Sequence, residues 1–313
     1  MPKARAIIVS GPTASGKSRL AIELALELRR RGRAAEIISA DSAQVYRFMD
    51  IGTDKLRPEE REGIPHHLID VVKPDEHFDA AIFRRLALEQ IERICRENGI
   101  AVLVGGTGFW IRVLLFGLFA GPGRDEEIRA ELKKLSRAKG PAYLHELLCE
   151  LDPESARRIH PNDLNRLVRA LEIHRLTGKS MSEHFQSQAK EQSIDALHLA
   201  LKLERGLLYE RINERVEQMM SKGFLEEVQN LRQMGYGSNL ASQKIIGYRQ
   251  LHQHLDGELE LGQAVHEIKK ATRHYARRQL VWLRGQPGIL WFDAFKERAR
   301  ILDIAVRFME ESK

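Results

Sequence analysis

Residues 11 to 18 read GPTASGKS, a glycine-bounded loop that closes on a lysine and a hydroxyl. Those residue types at that spacing can hold phosphate. Gly11 and Gly16 permit backbone conformations that aim successive N–H groups at one anion, and a helix beginning near Lys17 adds its positive end. Lys17 supplies a full charge to terminal phosphate oxygens, while the Ser18 hydroxyl can hold Mg²⁺. A chance glycine turn would lack the flanking pattern found here, a short apolar run at Arg5 to Ser10 and helical spacing at Leu20, Leu24 and Leu28. The whole loop, Gly11, Pro12, Thr13, Ala14, Ser15, Gly16, Lys17 and Ser18, is therefore the candidate site for a diphosphate or nucleotide.

A phosphate loop does not specify a reaction. Hydrolases of nucleoside triphosphates carry an acidic residue at the end of another apolar strand, where it holds Mg²⁺. Here the run IAVLV ends in Gly105, Gly106, Thr107 and Gly108, without a carboxylate. That counts against a motor or switch ATPase. The run AEIISAD does end in one, Asp41, followed by Ser42, Ala43 and Gln44. Asp41 has three readings: Mg²⁺ ligand, general base toward an acceptor, or helix cap. The stretch QVYRFMDIGTDK that follows reads as an ordered loop, which weakens the cap; its Thr53 and Lys55 are either solvent-facing or extra phosphate ligands.

The elements that must position these groups alternate. Strands are expected at 5–10, 35–41, 99–108, 197–203 and 289–294, with helices at 18–31, 109–116, 207–221, 224–234 and 262–284. This is an α/β chain, a doubly wound parallel sheet around a phosphate loop. From about Gly121 to Ser193 the sequence is charged, helical in spacing and free of strand signals, so an all-helical insertion is expected. The predicted organisation is a core, first part, at 1–120, the insertion at 121–195, and the rest of the core with basic helices at 196–313.

Composition sets wider bounds. The 313 residues are 43% hydrophobic and 30% charged, with a formal net charge of +6, too small to prove a polyanionic partner by itself. No apolar run reaches the roughly 18 residues of a membrane span, and the amino end has too short an apolar stretch for a signal peptide. A cytoplasmic protein without membrane attachment is expected, acting as a monomer. Cys95 and Cys149 lie in no metal-ligand spacing and are expected to be reduced, buried thiols. His66 and His67 are adjacent and point apart, so they are expected to order their segment; a metal site needs roughly three or four convergent ligands.

The segments GPTASGKS, DSAQVYRFMDIGTDK, IPHHLID, VGGTGFWIRVL, NDLNRLVRALEI, IIGYRQ and ATRHYARRQLVWLRG occur in this order. Together they resemble the tRNA dimethylallyltransferases, also called tRNA isopentenyltransferases, from about residue 5 to residue 292. The resemblance implies transfer of a dimethylallyl group from dimethylallyl diphosphate to the exocyclic amine of the adenosine 3′ of the anticodon. The loop would then hold a prenyl diphosphate with Mg²⁺, and the bond that breaks joins carbon to oxygen. It further implies that Asp41 is the general base, that Thr107 contacts the target nucleotide at the reacting centre, and that Lys17 completes the catalytic set. The chemistry agrees: the departing diphosphate needs stabilisation, which the loop amides and Lys17 can give, and no water need be activated.

The acceptor would be the anticodon stem-loop of tRNA, its target base flipped into a channel. Asp41, Ser42, Ala43 and Gln44 would read that base, the Gln44 amide suiting an adenine edge. From Ile268 to Phe292 the chain holds Lys269, Lys270, Arg273, Arg277, Arg278 and Arg284 without an acidic residue, a solvated face unaided and an RNA contact by resemblance. In the insertion, Asn165, Arg166, Leu167, Val168 and Arg169 with Arg129 match tRNA-contacting positions; the competing reading for the arginines is surface salt bridging. Lys244, Gly247, Tyr248 and Arg249 match another such segment. Arg211 and Arg215 lie one helical turn apart, and Arg215 is the candidate extra contact to the diphosphate. Ser18 stands where many relatives have threonine, Ala43 where a larger residue is common, and Asn165 where glutamine is common. Three rivals remain: prenylation of free adenine nucleotides, a phosphate-loop kinase acting on a small molecule, and an RNA-binding module with a vestigial loop, for which Lys17, Ser18 and Asp41 together would be an odd coincidence.

Overall fold

The computed structural model describes residues 3–118, 121–187 and 192–310. Two compact units divide them, one within residues 1–117 and 192–313 and the other within 118–191. In the larger unit, β1 (Arg5–Ser10), β2 (Ala35–Ser39), β3 (His66–His67), β4 (Ile100–Gly105), β5 (Asp195–Lys202) and β6 (Leu290–Asp293) form a sheet in the order β3-β2-β4-β1-β5-β6. Every pairing is parallel.

Parallel neighbours cannot be joined by a tight turn, so helices cross over both faces. The two-residue period of β1 separates the two cores. Ala6 and Ile8 face one side with α2 (Ala80–Arg96) and α3 (Gly108–Phe116); Ile7 and Val9 face the other with α1 (Lys17–Arg30). The expected doubly wound sheet is thus present, with strand ends within three residues of expectation; the largest difference is at β4, which ends at Gly105 where the glycine turn begins. Helix α2, the short strand β3 and a helix at Tyr248–Leu255 are additions to the expected elements. Helix α2 carried local signals: Asp79 caps it by accepting from the N–H groups of Ala81 and Ile82, and Phe83, Ala87, Ile91 and Ile94 form its buried stripe. At β3, His67 Nε2 lies 2.6 Å from Glu36 and His66 Nδ1 lies 2.7 Å from the Ile64 carbonyl, so both histidines order the segment.

The smaller unit contains α4 (Glu126–Lys139), α5 (Pro141–Leu151), α6 (Pro153–Arg158), α7 (Leu164–Thr177) and α8 (Met181–Ser187). Its core joins Leu132, Leu144, Leu148, Leu167 and Leu171. Glu172 is fully buried beside it, accepting from the Asp125 N–H at 2.7 Å, from Arg129 at 3.1 Å and from Arg169 at 2.8 Å. Cys149 is exposed, contrary to the expected buried thiol, because it lies on the solvent side of α5; Cys95 is partly buried. In the larger unit the chain continues through α9 (Arg205–Ser221), α10 (Phe224–Gln233), α11 (Tyr248–Leu255), α12 (Leu261–Arg284) and α13 (Arg298–Glu310).

Burial alone would raise the Glu172 carboxyl, but Arg169, the Asp125 N–H and Arg129 together outweigh it and hold the group below its ordinary value of 4.5. A carboxyl depressed in the folded state adds stability above its unfolded pKa and loses it as pH falls through the folded value. Glu172→Ala leaves two guanidiniums without their counter-ion and is expected to cost about 3–5 kcal/mol. Denaturant titration of the intact protein checks this. The penalty should shrink on acidification below the ordinary carboxylate range, and a penalty independent of pH would contradict the ion-pair account.

Candidate active site

Three segments leave the sheet at neighbouring carboxyl ends, since Ser10 of β1 pairs with Gly105 of β4 and Ser39 of β2 with Val104 of β4. They carry the phosphate loop, Asp41 and Thr107. The loop is curled: the Ser15 N–H donates to the Pro12 carbonyl at 3.2 Å, and Ala14 and Gly16 adopt left-handed φ values of 62° and 84°. Ala14 lacks glycine's freedom, so the curl stores strain of about 1–3 kcal/mol. No side chain caps α1, which leaves first-turn N–H groups for a ligand. The buried Ser15 Oγ has no hydrogen-bond partner among the described residues; a phosphate oxygen would satisfy it.

Lys17 Nζ lies 3.4 Å from the Pro12 carbonyl. Burial pushes its ammonium down from 10.5 to about 8; Asp41 opposes the shift, Arg215 adds to it, and Asp54 opposes it. From α9, Arg211 Nε donates to the Ala14 carbonyl at 2.9 Å, and Arg215 donates to Thr13 Oγ1 at 2.8 Å while pairing with Asp54 at 3.2 Å. Both arginines therefore buttress the loop directly.

Asp41 caps a turn rather than a helix, its Oδ1 accepting the Ala43 N–H at 2.9 Å. Thr107 accepts the Ser42 N–H at 3.1 Å and donates to Ser42 Oγ at 3.3 Å, which laces the turn after β4 to the turn after β2. Tyr275 of α12 brings its hydroxyl to the side chains of Thr107 and Gln279; burial and then the charge of Asp41 push that hydroxyl up to about 12. Gln279 accepts the Thr13 N–H at 2.8 Å and donates to the Gly106 carbonyl at 3.0 Å. Arg277 and Arg278 are exposed on the same helix. Lys244, Arg249, Lys270, His274 and Arg278 line a cleft of about 410 Å³ with Glu267 as its acidic member.

Several expected contacts are used up inside the protein. Lys55 does not face phosphate: its ammonium is held by the Tyr46 carbonyl, Asp50 and Asp70 at 2.6–2.7 Å. Thr53 is buried and donates to the Met49 carbonyl. Gln44 accepts from Ser39 and donates to the Thr53 and Asp54 carbonyls, so a base edge must compete with three existing bonds. Leu167 and Val168 cannot face RNA, being fully buried in the helical core. Arg129 and Arg169 are committed to Glu172, and Arg169 also to the Pro122 and Gly123 carbonyls, which leaves Asn165 and Arg166 exposed on α7. Gly247 and Tyr248 are buried against Phe224, and the Tyr248 hydroxyl donates to Glu227 at 2.7 Å. Arg273 is drawn toward Asn213 at 2.7 Å.

A sequence profile of the IPP transferase family matches residues 44–286. The chain belongs to the IPP transferase family. It is 46% identical over 288 residues to the tRNA dimethylallyltransferase of Bacillus licheniformis, covering 92% of this chain and 90% of that one. To the tRNA dimethylallyltransferase of Geobacter sulfurreducens it is 44% identical over 308 residues, covering 98% and 97%. The solved full-length tRNA isopentenylpyrophosphate transferase of Bacillus halodurans is similar at a TM-score of 0.74 and 37% identity, with 99% of this chain and 98% of that one covered. A eukaryotic dimethylallyltransferase, solved in crystallographic snapshots of its action on tRNA, is similar at a TM-score of 0.78 and 29% identity, with 99% and 80% covered.

Within this IPP transferase, Tyr275, Gln279 and Glu227 shape the site without being sequence candidates: the first two lie inside the segment ATRHYARRQLVWLRG, in which only basic residues are candidates, and Glu227 lies outside every segment that carries the resemblance. Glu227 accepts from the N–H groups of Asp50, Ile51 and Gly52 at 2.7–3.1 Å, so α10 pins the loop that begins at Asp41. The helical spacing of Tyr275, Gln279 and Trp282 is a signal present in the sequence, but only packing gives it a target.

Lys17 makes the free site costly. A lysine whose folded pKa lies below its unfolded one is held charged at a penalty, full below about pH 8 and relieved as pH rises from there toward 10.5. Lys17→Met is expected to raise the thermal midpoint of the free protein at neutral pH, with a gain that shrinks toward that upper value, while weakening diphosphate binding. In the wild type, diphosphate affinity measured by calorimetry should fall as pH rises through about 8; a flat profile would contradict the assignment.

Proposed function

We propose that this enzyme transfers a dimethylallyl group from dimethylallyl diphosphate to the exocyclic amine of the adenosine 3′ of the anticodon in tRNA, releasing diphosphate. The observation that carries the reading is the meeting of an anion cradle with a carboxylate and a hydroxyl. Lys17 feels the charge of Asp41, and Thr107 is bonded to the turn that carries Asp41, while the turn after β4 offers no carboxylate to activate water. The names of the similar transferases point to the same donor and acceptor.

Loop amides, the Ser15 hydroxyl, Lys17, Arg211 and Arg215 bind and orient the diphosphate. Transfer forms a bond between the amine nitrogen and the terminal allylic carbon as the carbon–oxygen bond breaks, and the bonding pair leaves with diphosphate. The amine is a weak nucleophile whose lone pair is delocalised into the ring, so it must shed a proton as it reacts. Asp41 accepts that proton, its Oδ1 held by the Ala43 N–H. Thr107 positions the nucleotide beside it. The partly buried Ser18 hydroxyl at the first turn of α1 would hold Mg²⁺, and no cluster of three or more His, Cys, Asp or Glu side chains competes among the described residues. Bound there, Mg²⁺ would supply positive charge to the leaving group.

The exposed Arg277 and Arg278, with the cleft of Lys244, Arg249, Lys270 and His274, would grip the anticodon stem-loop, as would Asn165 and Arg166 on α7. The enzyme would act as a cytoplasmic monomer; no helix among the described residues is long and apolar enough to cross a membrane.

Labelled dimethylallyl diphosphate, with Mg²⁺ and unmodified tRNA, tests the reading beside free AMP and ATP-only controls. Label should enter tRNA; label in AMP alone, or ATP turnover without transfer, would overturn it. Asp41→Ala is expected to slow transfer by at least about a hundred-fold with tRNA affinity preserved. Arg277→Ala with Arg278→Ala should weaken tRNA binding and reduce its salt slope by about 1 for each phosphate no longer neutralised. An unchanged slope would remove α12 from the RNA interface.

A further inference from the structure

We propose that Gln279 is a positioning residue whose side-chain amide sets the spacing between the diphosphate loop and the turn that carries Thr107. The inference rests on the prenyl-transfer reading above. Gln279 is 6% exposed, and its two ends go to two different loops. Oε1 accepts the Thr13 N–H at 2.8 Å in the loop after β1, and Nε2 donates to the Gly106 carbonyl at 3.0 Å in the turn after β4. One planar group thus spans the segments that must bring leaving group and nucleotide into line.

An amide suits this bridge because it places one acceptor and one donor on a single rigid head. A carboxylate would set negative charge against the Gly106 carbonyl, and a hydrocarbon would leave the partly buried Thr13 N–H without this acceptor and the Gly106 carbonyl with the Gly108 N–H, at 3.0 Å, but not the amide of Gln279. The fit is also steric. A Cβ on Gly106 would lie 2.1 Å from Gln279 Nε2, and one on Gly108 would lie 2.2 Å from the Trp282 ring. Only glycine lets α12 approach the turn so closely. Tyr275, one helical turn before Gln279, reaches the Thr107 and Gln279 side chains. Positions 275, 279 and 282 share one face of α12, so the helix meets the catalytic turn along its length. In-line transfer demands this accuracy: a displacement of roughly 1 Å at a reacting centre can cost about a hundred-fold in rate.

The test is single-turnover transfer by the full-length protein, with saturating labelled dimethylallyl diphosphate, Mg²⁺ and unmodified tRNA, for wild type, Gln279→Leu and Gln279→Glu. Filter binding of tRNA and thermal midpoints are measured alongside. The expected result is a rate lowered about a hundred-fold with tRNA affinity within about twofold of wild type, a loss in the chemical step rather than in binding. Gln279→Glu keeps the size and the acceptor for Thr13, so it decides the matter if Gln279→Leu does not fold. A rate within about threefold of wild type would overturn the proposal, as would a loss confined to tRNA affinity, which would make Gln279 an RNA contact. Unfolding of both variants would make it a stability residue instead. Wild-type protein that labels no tRNA would fail the prenyl-transfer reading itself and the positioning role with it.

Discussion

All strands of the sheet run the same way, and the rest of the site depends on that constraint. A parallel strand must be followed by a crossover, and right-handed crossovers place helices on both faces, burying the central strands completely. Ile7, Ile8, Val102 and Leu103 are accordingly without exposure. Since every chain segment leaves its strand at the same edge, the loops after β1, β2 and β4 gather there whatever their separation in sequence. Gly11, Asp41 and Thr107 are neighbours for this reason, and strand register decides how near.

At that edge the free protein is held away from electrostatic rest. Lys17 is desolvated, Ala14 is left-handed, Ser15 has an unanswered hydroxyl, and two arginines press on the loop. The desolvated ammonium, the strained backbone and the unanswered hydroxyl each cost free energy, and a bound polyanion would relieve the first and the last. Asp41 balances the cations and leaves Oδ2 without a hydrogen bond to a neighbouring backbone among the described residues. Two other carboxylates are saturated: Glu172 by two arginines and an N–H, Glu227 by three N–H groups and a tyrosine. Saturated carboxylates such as these hold structure, whereas Asp41 keeps capacity for a further partner.

Much of the fold was legible locally. The β-branched runs, the glycine turns and the helical stripes marked β1, β2, β4, β5, α1, α9, α10 and α12 to within three residues, because each is stabilised by its own hydrophobic period. Helix α2 carried equal signals in Asp79 and its apolar stripe, whereas β3 is two residues long and exists only as a partner of β2. Side-chain roles were harder to read. Lys55, Gln44, Arg129, Arg169 and Tyr248 have functional chemistry by type, yet their partners lie up to 47 residues away and absorb it.

The sequence alone determined the chemistry on offer, since a glycine-rich loop closing on Lys17 and Ser18 and a strand ending in Asp41 are local facts of residue type and order. It also determined the alternation of elements, because burial of a periodic apolar face is a local demand. Tertiary structure decided which charges remained free. Gln279 and Tyr275, more than 160 residues beyond Thr107 in sequence, became part of the site only because α12 packs where two glycines let it come close. Hydrogen bonds and ion pairs are satisfied by whatever folds nearest, and spatial nearness between distant segments is written in packing rather than in any short stretch of chain.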